Sequence, residues 1–217
     1  MNSNKTALIL TSTIDPKGIK FLERTNIQNR YDDYKKAFIF WINNKLINNI
    51  IFIENSGYDL TFFKKKALES KKNIEVITCK INNDFDRSYG KGYGEYLSLK
   101  KIFETSKIAE NNDYFIKVTG RHIIKNFNQI YKDIFQDDNE IYLNLKNNLK
   151  LADSTIFGGS KLFFTKYLIH ETSKTNDSKN IFFEHGTASA ALKAITNGLQ
   201  FSQIKVYADI EGYIGTN

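Results

Sequence analysis

Three short stretches of this 217-residue chain carry side chains suited to group transfer. The first, Tyr89-Gly90-Lys91-Gly92-Tyr93-Gly94-Glu95, has glycines at alternate positions, which let backbone approach a ligand closely or take positive φ. A helix starting just after it would offer unpaired N–H groups to an anion, so Lys91 and Tyr93 are candidates for holding a phosphate-bearing ligand. The glycine offsets match neither the P-loop nor the dinucleotide fingerprint, and a plain flexible loop is the competing reading. The second stretch, Asp113 to His122, reads as an apolar strand that delivers Lys117, Thr119, Arg121 and His122 around its carboxyl end, the edge at which open α/β sheets bind ligands. Arg121 can grip phosphate oxygens in a bidentate fork, and a pyrophosphate suits the pair of cations. The alternative is that Lys117 and Arg121 pair with surface acids. The third stretch, Phe182-Phe183-Glu184-His185-Gly186-Thr187, ends an aromatic run in a carboxylate and an imidazole. Either can take a proton from a hydroxyl, with Glu184 the first candidate. A carboxylate at a helix start is also an ordinary stabiliser of the helix dipole.

The elements that must position these groups follow from hydrophobic patterning. Apolar runs at Leu8–Leu10, Ile50–Ile53, Ile74–Ile77 and Tyr114–Val118 predict buried strands, and Glu140–Leu145 and Thr155–Phe157 predict two more. Helical spacing predicts helices around Tyr34–Ile42, Leu60–Leu68, Tyr96–Ile108, Leu162–Ile169 and Thr187–Thr196. Strands separated by helices imply an α/β domain with a mostly parallel central sheet flanked by helices and right-handed crossovers. No repeat, Pro/Ser-rich linker or low-complexity segment divides the chain, so a single domain is expected over residues 1–217, with a nucleotide-binding part to about residue 125 and an acceptor part beyond.

Composition bounds the function. An apolar fraction of 41% argues against general disorder. The formal charge of +7 admits a polyanionic partner, but the lysines are scattered, and runs such as Lys64-Lys65-Lys66 and Lys71-Lys72 fit solvated helix faces. Cys79 is the one cysteine, in an apolar run, which excludes an intramolecular disulfide and suits a buried structural thiol. Of the three histidines, His170 falls near the end of a predicted helix, and none has metal-ligand spacing, so no zinc site is expected. No Gly-x-Ser-x-Gly elbow is present. Signal-peptide and membrane-spanning patterns are both missing, so the expectation is a cytoplasmic protein. Peripheral contact with the inner membrane face is left open through Phe38, Phe40 and Trp41, whose plainer reading is helix core.

Together with the opening strand, these stretches resemble the GT-A (Rossmann-like) class of bacterial glycosyltransferases, particularly small enzymes of capsule and lipooligosaccharide loci. The resemblance covers most of the chain. It implies that Leu8 to Thr13 forms the first nucleotide-binding strand with Thr11, Ser12 and Thr13 at the donor, and that Glu54-Asn55-Ser56-Gly57 matches the acidic turn that contacts base or ribose. It implies that Gly90 to Glu95 leads into the next helix, that Asp153 to Lys161 lines the sugar and acceptor side, and that Glu184 stands where inverting members carry their base. The implied partners are a nucleotide-sugar donor and a glycan or lipid-linked acceptor, with no nucleic acid. In one departure, an Asp-x-Asp metal motif usually follows the fourth strand, where this chain has Lys117-Val118-Thr119-Gly120-Arg121. Direct neutralisation of the diphosphate by Lys117 and Arg121 would replace the metal's electrostatic role. A divalent metal, Mn or Mg, stays open as a cofactor, with Asp137-Asp138 and Asp153 as its ligands. Two rival readings are a sugar-nucleotide nucleotidyltransferase, and a nucleic-acid-binding module whose exposed aromatics would stack on bases.

Overall fold

A computed structural model describes residues 5–19, 22–81 and 85–211. The expected apolar runs form β1 (Thr6–Ser12), β2 (Asn49–Glu54), β3 (Asn73–Thr78) and β4 (Tyr114–Thr119), followed by β5 (Ile123–Ile124), β6 (Ile141–Leu143), β7 (Leu145–Lys146), β8 (Leu151–Ala152), β9 (Ile156–Ser160), β10 (Phe201–Gln203) and β11 (Ile210–Glu211). Seven of them make one sheet in the order β10-β6-β9-β4-β1-β2-β3. Every pairing in it is parallel except those of β9, which runs antiparallel to β4 and β6. β1 and β4 are adjacent, although the chain passes through β2 and β3 on the other side before β4 is laid down. That reversal leaves a crevice at the carboxyl ends of β1 and β4, the switch point at which open sheets take ligands.

The helices are α1 (Ile27–Asn43), α2 (Thr61–Glu69), α3 (Gly90–Thr105), α4 (Lys107–Asn111), α5 (Phe127–Ile134), α6 (Ile169–Thr172), which continues a π-helical turn over Phe163–Leu168, and α7 (Phe183–Thr196). Apolar clusters cover both faces of the sheet. Leu8 and Leu10 of β1 meet α1 and α5, whereas Ala7 and Ile9 meet α3 and α7, which is why the central strands read as unbroken apolar runs. Each fully buried large side chain in these layers contributes about 1.5–3 kcal/mol. Phe38 and Trp41 of α1 are completely buried, and Phe40 packs edge-on against Trp41, so this face is core and not a membrane surface. The Trp41 indole N–H also donates to the His122 carbonyl at 3.0 Å, tying the turn after β4 to α1. No helix among the described residues is long and apolar enough to cross a membrane.

The main departure from the sequence expectation lies at α3. The helix predicted over Tyr96–Ile108 begins six residues earlier, at Gly90, and breaks at Ser106, whose side chain accepts the Ala109 N–H and starts α4. Gly92 and Gly94 are therefore helical, not a loop, whereas Gly90, at φ 81°, takes the positive φ that glycine allows and turns the chain into the helix. Each helical glycine costs about 1 kcal/mol in propensity relative to alanine, and packing overrides that cost. A Cβ on Gly92 would lie 2.9 Å from Thr175 Cγ2 and 3.1 Å from Phe183 Cβ, so only glycine lets α3 come this close to the start of α7. α7 likewise begins at Phe183, four residues before expected, and α5 and β10 were not foreseen. Cys79 is half-buried, against the expectation of full burial.

Candidate functional site

The switch point holds a cleft of about 320 Å3. β1 and the turn after it contribute Thr11 to Thr13, the turn after β2 Asn55, α3 Lys91 and Glu95, and the turn after β4 Thr119, Arg121 and His122. Lys146, Asp153 and Ser154 enter from β7 and the segment after β8, and Glu184 from the first turn of α7. All three chemically suggestive stretches thus converge on one cleft, although they lie far apart in sequence.

Beneath its floor runs a polar chain. Lys117 follows Phe115 on the β4 face that meets α3 and α7, and it is completely buried. Its ammonium is ion-paired with Glu95, donates to the Ser154 carbonyl at 2.8 Å, and lies 5.7 Å and 5.8 Å from the ring centres of Phe157 and Phe183. Glu95 Oε1 also accepts from Thr11 Oγ1 at 3.3 Å, and the Ser154 hydroxyl donates to Glu184 Oε1 at 2.6 Å. Lys117 is thus not a wall of the cleft, contrary to the diphosphate role expected from sequence. Its charge is met inside the protein by Glu95, and it orients a carboxylate that does line the cleft. The cleft cations are Arg30, Lys91, Arg121 and Lys146.

Other expected site residues take structural positions. Glu54 is fully buried and accepts the backbone N–H groups of Ile14, Ser56 and Tyr58, each at 3.0 Å, as well as the Ser56 hydroxyl. The Ser56 hydroxyl in turn accepts the Asp15 N–H at 3.1 Å. These two residues fix the loops after β1 and β2; both are buried and neither is part of the cleft lining. Asn55 alone of that turn lines the cleft, where it accepts from Thr13 Oγ1 at 2.7 Å and donates to Ser98 Oγ at 3.0 Å. The Ser12 hydroxyl donates to the Ile53 carbonyl. Tyr93 packs among Phe85, Tyr89 and Tyr96 and is not part of the cleft lining; burial raises its phenol. His185 turns its Nδ1 to accept the Phe182 N–H at 3.1 Å and stacks on the Phe182 ring, so the imidazole caps α7. This leaves Glu184 free of the capping role, with Ser154 as its partner.

Two further carboxylates complete the electrostatics. Asp153 accepts from Lys146 at 2.7 Å and from the Thr155 N–H at 2.9 Å. Burial works against its charge, but these donors outweigh that effect and hold the carboxyl below its ordinary value. Asp177 accepts the backbone N–H groups of Lys91 and Gly92, and burial followed by the nearby Glu184 charge moves it up despite those bonds. The start of α3, expected to bind a phosphate, is therefore already occupied by a carboxylate of the protein. Sequence reasoning missed Asp177, and it gave no individual role to Glu95 or Ser154 although both lie in stretches it singled out. Read as helix, the glycine stretch would have put Lys91 and Glu95 on one face at i, i+4.

The described residues do not form a cradle for a divalent cation. No group of three or more His, Cys, Asp or Glu among them could hold one. Asp153 is committed to Lys146, and Asp137 pairs with Lys205 outside the cleft lining.

No family model and no curated protein matches the sequence. Solved structures match the fold. Residues 1–349 of TarS from S. aureus superpose with a TM-score of 0.53 at 10% identity, over 94% of this chain and 59% of that one. The glycosyltransferase GlyE from Streptococcus pneumoniae TIGR4 gives 0.52 at 10% identity, over 93% of this chain and 45% of that one. A protein from Bacillus anthracis assigned as a glucose-1-phosphate thymidylyltransferase, bound to sucrose, gives 0.51 at 12% identity, over 95% and 88%. The chain thus has the mixed α/β fold shared by GT-A glycosyltransferases and nucleotidyltransferases, and it spans about half the length of the two transferase chains.

Proposed function

We propose that the chain is a glycosyltransferase that moves a sugar from a nucleotide-sugar donor to a glycan or lipid-linked acceptor in surface-polysaccharide synthesis. The observation that carries this reading is the convergence of Lys91, Arg121 and Glu184 on one cleft at the switch point of a sheet with this fold. The nucleotide lies across Thr11 to Thr13 and Asn55, and its diphosphate meets Lys91 and Arg121. Glu184 Oε1 is held by Ser154, and its other oxygen receives the proton of an acceptor hydroxyl. The acceptor oxygen attacks the anomeric carbon as the bond to the diphosphate breaks, and the electron pair leaves with the nucleoside diphosphate. Its growing charge faces fixed cations, which stabilise the transition state more than the ground state. Direct displacement inverts the anomeric centre. Each of these steps is assigned to side chains of the chain, and activity that survives a chelator would support that assignment.

The fold likeness to the thymidylyltransferase-like structure supports a second reading, nucleotidyl transfer, in which the sugar phosphate is the nucleophile and pyrophosphate is released. Stacking on nucleic acid loses its argument, because the aromatics are mostly core and only Tyr89, Phe182 and Tyr207 are exposed among the described residues. Product analysis separates the two enzymes. Release of nucleoside diphosphate with glycosylated acceptor supports glycosyl transfer, and release of pyrophosphate from a nucleoside triphosphate supports the rival. Glu184→Gln should lower turnover about 10²–10⁴-fold while donor affinity stays within about twofold. Unchanged turnover would reject Glu184 as the base.

A further inference from the structure

A second cleft of about 500 Å3 adjoins the first, and Lys91, Glu95 and Glu184 line both, so the two meet at the carboxylates. Its walls differ in two ways. The first is an aromatic surface: Phe182 is 39% exposed, yet its ring is stacked on the His185 imidazole at 5.5 Å with 25° between planes, and its backbone N–H is bound by the same imidazole. An exposed phenyl ring held in place from behind is a preformed apolar platform. The second is the balance of charge. Glu23, Glu95, Asp177 and Glu184 face this space against Lys91, whereas the first cleft sets Arg30, Lys91, Arg121 and Lys146 against Glu95, Asp153 and Glu184. Asn180, held in left-handed backbone at φ 56°, adds an amide to the wall.

We propose that the second cleft binds the acceptor, and that its terminal unit is an uncharged pyranose ring lying on Phe182. Carboxylates and an amide accept and donate to sugar hydroxyls, and the apolar C–H face of a pyranose covers an aromatic ring. A phosphate- or carboxylate-bearing sugar would meet like charge in a confined site. A hydroxyl directed at Glu184 from this side stands at the junction with the donor cleft, where the proton must leave. The assignment of this ligand as acceptor rests on the transferase reading; the sugar site itself does not.

Saturation-transfer NMR on the whole chain tests it, using methyl glycosides of common neutral hexoses and N-acetylhexosamines against a methyl hexuronide and a hexose 6-phosphate. Nucleoside diphosphate is titrated into the same samples. At least one neutral glycoside should bind, Phe182→Ala should weaken it about tenfold or more, and Phe182→Tyr should restore it. Nucleotide affinity should stay within about twofold in both variants. Stronger binding of the charged sugars, neutral binding indifferent to Phe182→Ala, or no glycoside bound would overturn the proposal. Nucleotide binding without sugar binding would sink this site alone. Phe182-dependent sugar binding without any nucleotide binding would sink the transferase reading and leave the site a sugar site.

Discussion

Replacing Lys117 with methionine should remove a buried charge while keeping the apolar stem that packs in the sheet. The completely buried ammonium pairs with Glu95, whose side chain is 22% exposed, and donates to the Ser154 carbonyl. Losing one partner of a buried pair costs about 3–5 kcal/mol, and a carbonyl left unsatisfied about 1–3 kcal/mol. Glu95 keeps some access to water, which pulls the first figure to its lower end, and we expect a net loss of about 3–4 kcal/mol for Lys117→Met. That corresponds to a Tm about 6–16 °C lower in a chain of this size. Glu95→Gln alone should cost at least as much, because it strands an ammonium with no solvent access. The double variant removes both charges and should be more stable than the sum of the single losses implies, by about 2 kcal/mol or more. Urea unfolding of the four proteins measures this coupling. A Lys117→Met protein within about 0.5 kcal/mol of the parent, or strictly additive losses, would refute the view that Lys117 is neutralised internally and would restore it as a free cation for the donor.

The turn carrying Arg121 depends on a glycine: a Cβ at Gly120 would sit 2.6 Å from the Thr11 backbone carbonyl oxygen. Gly120→Ala should therefore cost about 2–3 kcal/mol by overpacking and weaken nucleotide binding, and calorimetry showing parental affinity and stability would contradict this. Glu171 is 4% exposed and accepts from Lys193, His170, Ser189 and Lys174 at 2.6–2.9 Å. Burial opposes its charge, but these donors prevail and hold the carboxyl far below its ordinary 4.5. A depressed folded-state value adds stability that is fully present above the unfolded value and is lost as pH falls below about 4.5. Glu171→Gln should thus lose stability at neutral pH and show a flatter decline between about pH 5 and pH 2, and parallel acid-unfolding curves for parent and variant would count against the network.

Sheet and site were legible to different degrees, for physical reasons. Strands buried on both faces announce themselves as apolar runs, so β1, β2 and β4 and the edge at which ligands bind could be read directly, and the half-buried edge strand β3 kept enough Ile and Val to be read with them. β10, Phe201-Ser202-Gln203, has no such run and exists because β6 offers it a parallel partner. The start of α3 was hidden because glycine propensity argues against a helix there, and the residues that demand glycine, Thr175, Asp177 and Phe183, come about 85 positions later. Arg121, Lys91 and Glu184 could be named from local pattern. That Lys117 and Glu54 are structural could not, because a charged residue at a strand end looks alike whether it faces a ligand or a partner brought by a distant segment. His185 misled in the same way: its capping of α7 depends on where that helix begins.

The most direct measurement of the central claim is titration of the chain with UDP, GDP, CMP and their sugar conjugates, with and without manganese, followed by thermal unfolding. A ligand at 100 times its Kd stabilises the folded state by about 2.7 kcal/mol, or about 5–10 °C here. One nucleotide family should give this shift, and Arg121→Ala should reduce it strongly relative to that variant's own unliganded Tm. If no nucleotide shifts the parental protein, or if Arg121→Ala shifts as much as the parent, the cleft at the switch point is not the donor site.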